Sequence, residues 1–314
     1  MKTLQQLHSV PFALYEPYYR ALVEAVHAGN DYPNTEMEKF FPKPSAMMHG
    51  KPGQMIGPTI ELKDGIAIQH ITGPVVRTHD FWSRMEGATS IDEAYRDLAS
   101  ARDNPAVKAI VLHMNTPGGE VDGTGEFAGL VHQTANTKPV IAYVSFMAAS
   151  AGYWIASAAG EIVAAPTALL GSIGVVTTYY DTSKMMESFG IEKVEIVSSQ
   201  SPLKRVDPKE EGGRAVIQRE IDAIADVFIN SVAPNRGVTR QTVLEDFGQG
   251  DVFVGKNAIK PGLADRIGTF EATLRGLQNG RTPRRKNQAS SSARHPTPDT
   301  RHLSPDYDLA HPQI

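Results

Sequence analysis

Near-continuous apolar runs recur through the middle of the chain: Ile66-Ala67-Ile68-Gln69-His70-Ile71, Ala109-Ile110-Val111-Leu112-His113-Met114, Val140-Ile141-Ala142-Tyr143-Val144 and the shorter Ile162-Val163-Ala164. Runs this long without polar alternation predict strands buried on both faces. Segments of helical period lie between them. Ser90-Ile91-Asp92-Glu93 has the form of a capping box, and Ile91, Tyr95 and Leu98 follow at helical spacing. A second helix is expected between the turn Asn115-Thr116-Pro117-Gly118-Gly119 and roughly His132, and a third, alanine-rich, after Ser150. Strands and helices in alternation predict an α/β fold with a mainly parallel sheet and crossover helices.

Further on the pattern predicts shorter elements. Leu170 to Val176 reads as a glycine-punctuated turn running into a strand, Thr182 to Phe189 as a short helix ending at Gly190, and Val194-Glu195-Ile196-Val197 as a strand. Asp207-Pro208-Lys209-Glu210 combines an acidic cap, a proline at the first helical position and Glu three residues after the cap, so a helix is expected to start there. Ile217, Ile221, Ile224 and Phe228 give it an apolar stripe. A further helix is expected over about 240–247. The pattern divides the chain into an N-terminal arm (1–60, with a short helix near 17–27 and extended loop after Gly29), a compact domain (61–278) and a tail (279–314). The tail is rich in Pro, Ser, Arg and His and has no apolar period, so it is expected to be disordered.

Composition narrows the function classes. The 314 residues carry a net charge of −4, too mild to argue for nucleic acid as the main partner. The tail alone has six Lys or Arg against three Asp. With no cysteine, disulfides, thiolate metal sites and cysteine nucleophiles are excluded, and no cofactor or metal is expected. No stretch reaches the ~18 apolar residues of a membrane-crossing helix, and the first residues lack the apolar core of a signal peptide, so a soluble protein with no membrane anchor, retained in the cytoplasm, is expected.

The chemistry concentrates at one serine. Ser150 follows a buried strand and precedes a buried helix in Met147-Ala148-Ala149-Ser150-Ala151-Gly152-Tyr153-Trp154, where small residues let backbone approach its hydroxyl. A serine nucleophile needs a base. No histidine lies between Ser150 and His295; His113 reads as a core residue, His132 as the end of a helix, and His70 is the histidine least excluded. A lysine of depressed pKa can serve instead. Among Lys184, Lys193, Lys204, Lys209, Lys256 and Lys260, Lys204 in Ser201-Pro202-Leu203-Lys204 stands in a loop among small and apolar residues at the end of an expected strand, where α/β sheets place function. The turn at Pro117-Gly118-Gly119 offers backbone N–H groups for an oxyanion.

Taken in order, Asn115-Thr116-Pro117-Gly118-Gly119, Ala148-Ala149-Ser150-Ala151-Gly152-Tyr153, Gly171-Ser172-Ile173-Gly174-Val175 and the closing Gly262-Leu263-Ala264-Asp265-Arg266-Ile267-Gly268 resemble the signature blocks of the signal peptide peptidase A family of serine peptidases. The resemblance covers roughly residues 65–275. It implies a crotonase/Clp-protease-like fold of repeated ββα units and a Ser–Lys dyad. Ser150 would be the nucleophile, Lys204 the general base and Ser172 a serine that hydrogen-bonds the lysine; the N–H groups of Gly119 or Gly118 and of Ala151 would bind the oxyanion. Two departures are Ala151 where the family usually has glycine, and Ser-Pro-Leu-Lys where it has Gly-x-x-Lys.

The N-terminal Pro11-Phe12-Ala13-Leu14 is similar to the phage prohead (capsid maturation) protease branch, which implies scaffold, portal or capsid proteins as substrates, a homo-oligomer, and action in the host cytoplasm or the assembling procapsid. Three alternatives stand beside it: a soluble peptidase degrading signal peptides, a crotonase-type acyl-CoA enzyme, and an inactive assembly protein on the same fold.

Overall fold

The computed structural model describes residues 12–14, 53–80, 83–84 and 87–283. The expected helix near 17–27 and the tail beyond residue 283 lie outside these. In chain order the elements are β1 (Phe12–Leu14), β2 (Gln54–Met55), β3 (Ile60–Lys63), β4 (Ile66–Thr72), β5 (Val75–Val76), β6 (Thr89–Ser90), α1 (Ile91–Asp103), β7 (Ala109–Thr116), β8 (Gly118–Glu120), α2 (Thr124–Thr137), β9 (Val140–Ala149), α3 (Ala151–Ser157), β10 (Glu161–Ala164), β11 (Leu169–Gly171), α4 (Ser183–Ser188), α5 (Glu211–Arg236), α6 (Arg240–Asp246), β12 (Val252–Val254), β13 (Arg266–Ile267) and α7 (Phe270–Gln278).

The main sheet runs β12-β11-β9-β7-β4-β3-β2, with β10 and β13 attached beside β9. Its central members β4, β7 and β9 are parallel. Every residue of β7 is buried, as its unbroken apolar run predicts. Ile110, Leu112 and Met114 face the larger core with α1, α2 and α3, while Ala109 and Val111 face the smaller core under α7. Each large aliphatic side chain removed from water this way contributes about 1.5–3 kcal/mol. A second sheet, β1-β8-β5-β6, joins the short strands β5, β6 and β8, which come after the long strands β4 and β7, to β1 from the N-terminal arm. Long strand, short strand, helix is therefore the repeat: β4 with β5, β6 and α1, then β7 with β8 and α2.

Ser90 caps α1, its Oγ accepting from the Glu93 N–H at 3.3 Å, as the capping box predicts. The buried stripe is Ile91, Ala94, Leu98 and Ala101, whereas Tyr95 faces outward. At the other end of α1 the Lys138 ammonium donates to the carbonyls of Ala101 and Asn104, where a cation complements the helix dipole.

Four sequence expectations change. The turn expected at Asn115–Gly119 is mostly strand, because β7 continues to Thr116 and Gly118–Glu120 starts the second sheet. In the Leu170–Val176 block the strand comes first, as β11, and residues 172–175 follow without regular structure. No strand forms at Val194–Val197: Val194 is 73% and Ile196 94% exposed, with no neighbouring strand to pair them among the described residues. The helix expected from Asp207 begins at Glu211 instead, because Asp207 closes a local turn, its Oδ1 accepting from the Lys209 N–H and its carbonyl from the Glu210 N–H.

Candidate active site

Strand β9 is two strands in one. Its first half, Ile141–Val144, pairs with β10 and its last residues, Met147–Ala149, pair with β11. On the opposite edge the register with β7 jumps between Met114 and Thr116. A bulge of this kind bends a strand and re-aims the residue at its end; here that residue is Ser150. The serine is held at φ 53°, ψ −120°, and is 1% exposed. Only four non-glycine residues among those described have positive φ, and two are Ser150 and Ser172. Such conformations cost on the order of 1–3 kcal/mol and persist where surrounding contacts enforce them.

The enforcing contacts are visible. The Ser150 N–H donates to the Gly171 carbonyl at 2.8 Å, and its Oγ lies 3.5 Å from the Gly174 carbonyl. Gly171 (φ 127°) has no room for a side chain, since a Cβ would stand 2.7 Å from the Asp251 carbonyl. That same carbonyl accepts from the Ser172 N–H at 2.7 Å. The Gly171–Gly174 block is thereby clamped between Ser150 and the start of β12.

On the other side, Thr116 packs against the residues that flank Ser150. Thr116 is in register with Ala148, and a Cβ on Gly152 would come within 2.5 Å of the Thr116 Cγ2, so the first turn of α3 rests directly on Thr116. Gly119 lies so close against β5 that a Cβ would overlap the Val75 carbonyl. The Gly118 N–H already has an acceptor, the Thr116 Oγ1 at 3.1 Å. Ala151 is the first residue of α3, where backbone N–H groups lack intrahelical acceptors. Ser150, Ala151, Ser172 and the Gly118–Gly119 strand thus form one neighbourhood.

Lys204 does not join it within a single chain. It sits exposed in a turn closed by its own N–H to the Ser201 carbonyl, and among the described residues its ammonium has no hydrogen bond or ion pair. Two other lysines are engaged elsewhere: Lys193 stands 3.0 Å from Glu195 and Lys209 2.6 Å from Asp181. His70 lies in a separate buried group, its Nδ1 3.3 Å from that of His113 and its Nε2 3.7 Å from Glu61. Burial, and secondarily the neighbouring His70, push His113 down to about 3, and its ring stacks on Phe270. His113 is a packed core histidine, as its strand position suggests. No cluster of three or more metal-ligating side chains occurs among the described residues.

Two residues at the site carry no motif signal. Val75 and Asp251 act through backbone contacts, which their side-chain identities do not advertise. Below the site, Arg236 is 2% exposed and bridges the Gly262 carbonyl and Asp265, while the Tyr153 hydroxyl donates to the Leu263 carbonyl. This ties α3 and α5 to the closing glycine block; Trp154 stacks on Phe228 at 4.6 Å to complete the contact.

Residues 132–282 match the model described as peptidase family S49. The chain belongs to that family. S49 peptidases have a Clp-protease-like α/β fold, and the layered repeat above is that fold. The chain is 31% identical over 216 residues to Protease 4 of Haemophilus influenzae, covering 67% of this chain and 34% of that protein. It is 30% identical over 210 residues to Capsid assembly protease C of Escherichia phage lambda, covering 66% and 47%, and 31% identical over 221 residues to the chloroplastic serine protease SPPA of Arabidopsis thaliana, covering 68% and 32%. The chain therefore spans about a third to a half of the length of these relatives. In this S49 chain no helix among the described residues is long and apolar enough to cross a membrane.

Proposed function

We propose that the protein is a serine endopeptidase whose nucleophile is Ser150. The observation that carries this reading is the strained backbone at Ser150, enforced by the hydrogen bond from its N–H to the Gly171 carbonyl. In the proposed reaction Lys204 Nζ takes the proton from Ser150 Oγ as that oxygen bonds to the peptide carbonyl carbon. The N–H groups of Gly119 and Ala151 hold the oxyanion. Collapse breaks the C–N bond, Lys204 returns the proton to the leaving amine, and Lys204 then deprotonates the water that frees the acyl group from Ser150. Ser172 orients the lysine.

The exposed position of Lys204 fits this chemistry in an assembly. The segment that carries it presents Phe189 (73% exposed), Val194 and Ile196 to solvent, an apolar concentration unusual for a free surface. Self-association would bury that segment and bring Lys204 out of open solvent. Phage-head proteins (scaffold, portal or capsid) are the proposed substrates, by analogy with the lambda capsid assembly protease, with the host cytoplasm or procapsid as the place of action.

The test is proteolysis of a co-expressed scaffold or portal protein by the wild type, Ser150→Ala and Lys204→Ala. Loss in both variants is expected. Full activity in Lys204→Ala would move the base to another residue; cleavage of neither scaffold nor portal by an otherwise active wild type would remove the phage-head assignment.

A further inference from the structure

The second sheet contains one strand, β1, that the proposed catalytic scheme does not use. β8 carries Gly118 and Gly119, and its two edges are both occupied. One is paired in parallel with β5 through Val75 opposite Gly119. The other is paired antiparallel with β1, setting Leu14 opposite Gly118, Ala13 opposite Gly119 and Phe12 opposite Glu120. β1 comes from the far N-terminus, more than a hundred residues away in sequence, and is the outermost strand of its sheet.

A strand presents its backbone N–H and C=O groups only along its two edges. β5 is fixed to its edge: a Cβ at Gly119 would overlap the Val75 carbonyl, and Val75 is fully buried. An extended peptide that is to reach the glycine strand beside Ser150 by strand addition therefore has one edge available, the edge that β1 holds. From this we infer that the β1 edge of β8 is the groove for an extended peptide, entered antiparallel to β8, and that Phe12-Ala13-Leu14 is its internal occupant, which a substrate must displace. The occupant describes the ligand chemistry: three uncharged residues in extended form, Phe-Ala-Leu in sequence, with Ala13 in register with Gly119. The inference rests on the peptidase reading above and adds to it a built-in competitor for the same groove.

The competition has a quantitative form. If the groove is open only a fraction of the time, apparent affinity for a peptide falls by that fraction. Weakening β1 raises the open fraction without touching any group that meets the reacting atoms.

The test uses the full chain. Successive N–H groups of a strand point to opposite edges, so the double substitution Ala13→Pro with Leu14→Pro removes whichever donor faces β8. In the Ser150→Ala background, anisotropy of a fluorescein-labelled peptide spanning residues 9–17 reads binding alone, independent of turnover. The double-proline chain is expected to bind it roughly tenfold or more tightly than the Ser150→Ala chain with β1 intact; equal affinity would overturn the inference. In the catalytically intact chain, the same double substitution is expected to lower KM for a quenched peptide with kcat unchanged, and the unlabelled 9–17 peptide is expected to inhibit competitively. Non-competitive inhibition or an unchanged KM would count against the inference. Hydrogen exchange on the unsubstituted protein guards against a misfolded variant: the amides of residues 12–14 and 118–120 are expected to be protected together and released together when the peptide is added in excess. Unprotected amides at residues 12–14 would contradict the pairing. If the wild type cleaves no peptide at all, the peptidase reading fails, while the anisotropy and exchange results still decide the groove.

Discussion

Ser150 and Ser172 both have a positive φ, which serine adopts only under constraint, and both constraints run through main-chain hydrogen bonds to Gly171 and Asp251. Glycine is required at position 119 for a different reason, close approach. Gly119→Ala would press a methyl group into the Val75 carbonyl. It is expected to cost at least about 3 kcal/mol in urea denaturation, within the range of severe core clashes; a loss under about 0.5 kcal/mol would mean β5 yields freely.

The buried histidines give a pH prediction. His113 is depressed to about 3 by burial, so the folded protein keeps it neutral where the unfolded chain, titrating near 6.5, takes up a proton. The stability it supports is complete above about pH 6.5 and declines as pH falls toward about 3, at a slope approaching 1.4 kcal/mol per unit. Replacing the ring by His113→Leu is expected to flatten the difference in unfolding midpoint between pH 7 and pH 5; an unchanged pH difference would assign the slope to other groups. At this scale the sequence was informative wherever a side chain announces itself. Ser150, Ser172 and the glycines stood out by type and order, and His113 by its place inside a strand. Val75 and Asp251 did not, because they contribute a carbonyl that many residue types could supply.

Among the elements, the buried parallel strands were legible because an unbroken apolar run has few other uses, and α1 because its capping box is a local interaction. What the pattern missed depends on partners distant in sequence. Nothing near Val140 signals that β9 changes neighbour from β10 to β11 part-way along. Val194–Val197 has strand composition but no strand beside it, so β-propensity alone does not order it. The Asp207–Glu210 signature reads equally as a turn, and the turn forms. The link from α5 to the closing block makes its own prediction. Arg236 is nearly inaccessible and its guanidinium is 2.8 Å from Asp265. Asp265→Ala would leave that cation buried without its carboxylate, at an expected cost of about 3–5 kcal/mol. Equilibrium denaturation checks it; restoration of stability in the double variant Asp265→Ala with Arg236→Met would show that the unpaired charge, and not the lost volume, is responsible.

For the molecule as a whole, the layered α/β core is complete and well buried, while the stretch from Val176 to Leu203 leaves Tyr179, Met185, Phe189, Ile191, Val194 and Ile196 exposed. A surface of that composition is expected to be covered by another copy of the chain. Sedimentation at micromolar concentration is expected to show an assembly larger than a monomer, shifted toward monomer by Phe189→Ser with Ile196→Ser. A monomeric wild type would instead leave Lys204 to reach Ser150 by rearrangement within one chain.

Everything proposed for function depends on Ser150 as the nucleophile. The most direct measurement is the initial rate of hydrolysis of an internally quenched peptide by the wild type and by Ser150→Ala, with matched circular dichroism to show that both are folded. The account predicts a fall of roughly 10⁴-fold or more, the scale on which loss of a serine nucleophile acts. A Ser150→Ala protein that retains activity within about tenfold of wild type would contradict it.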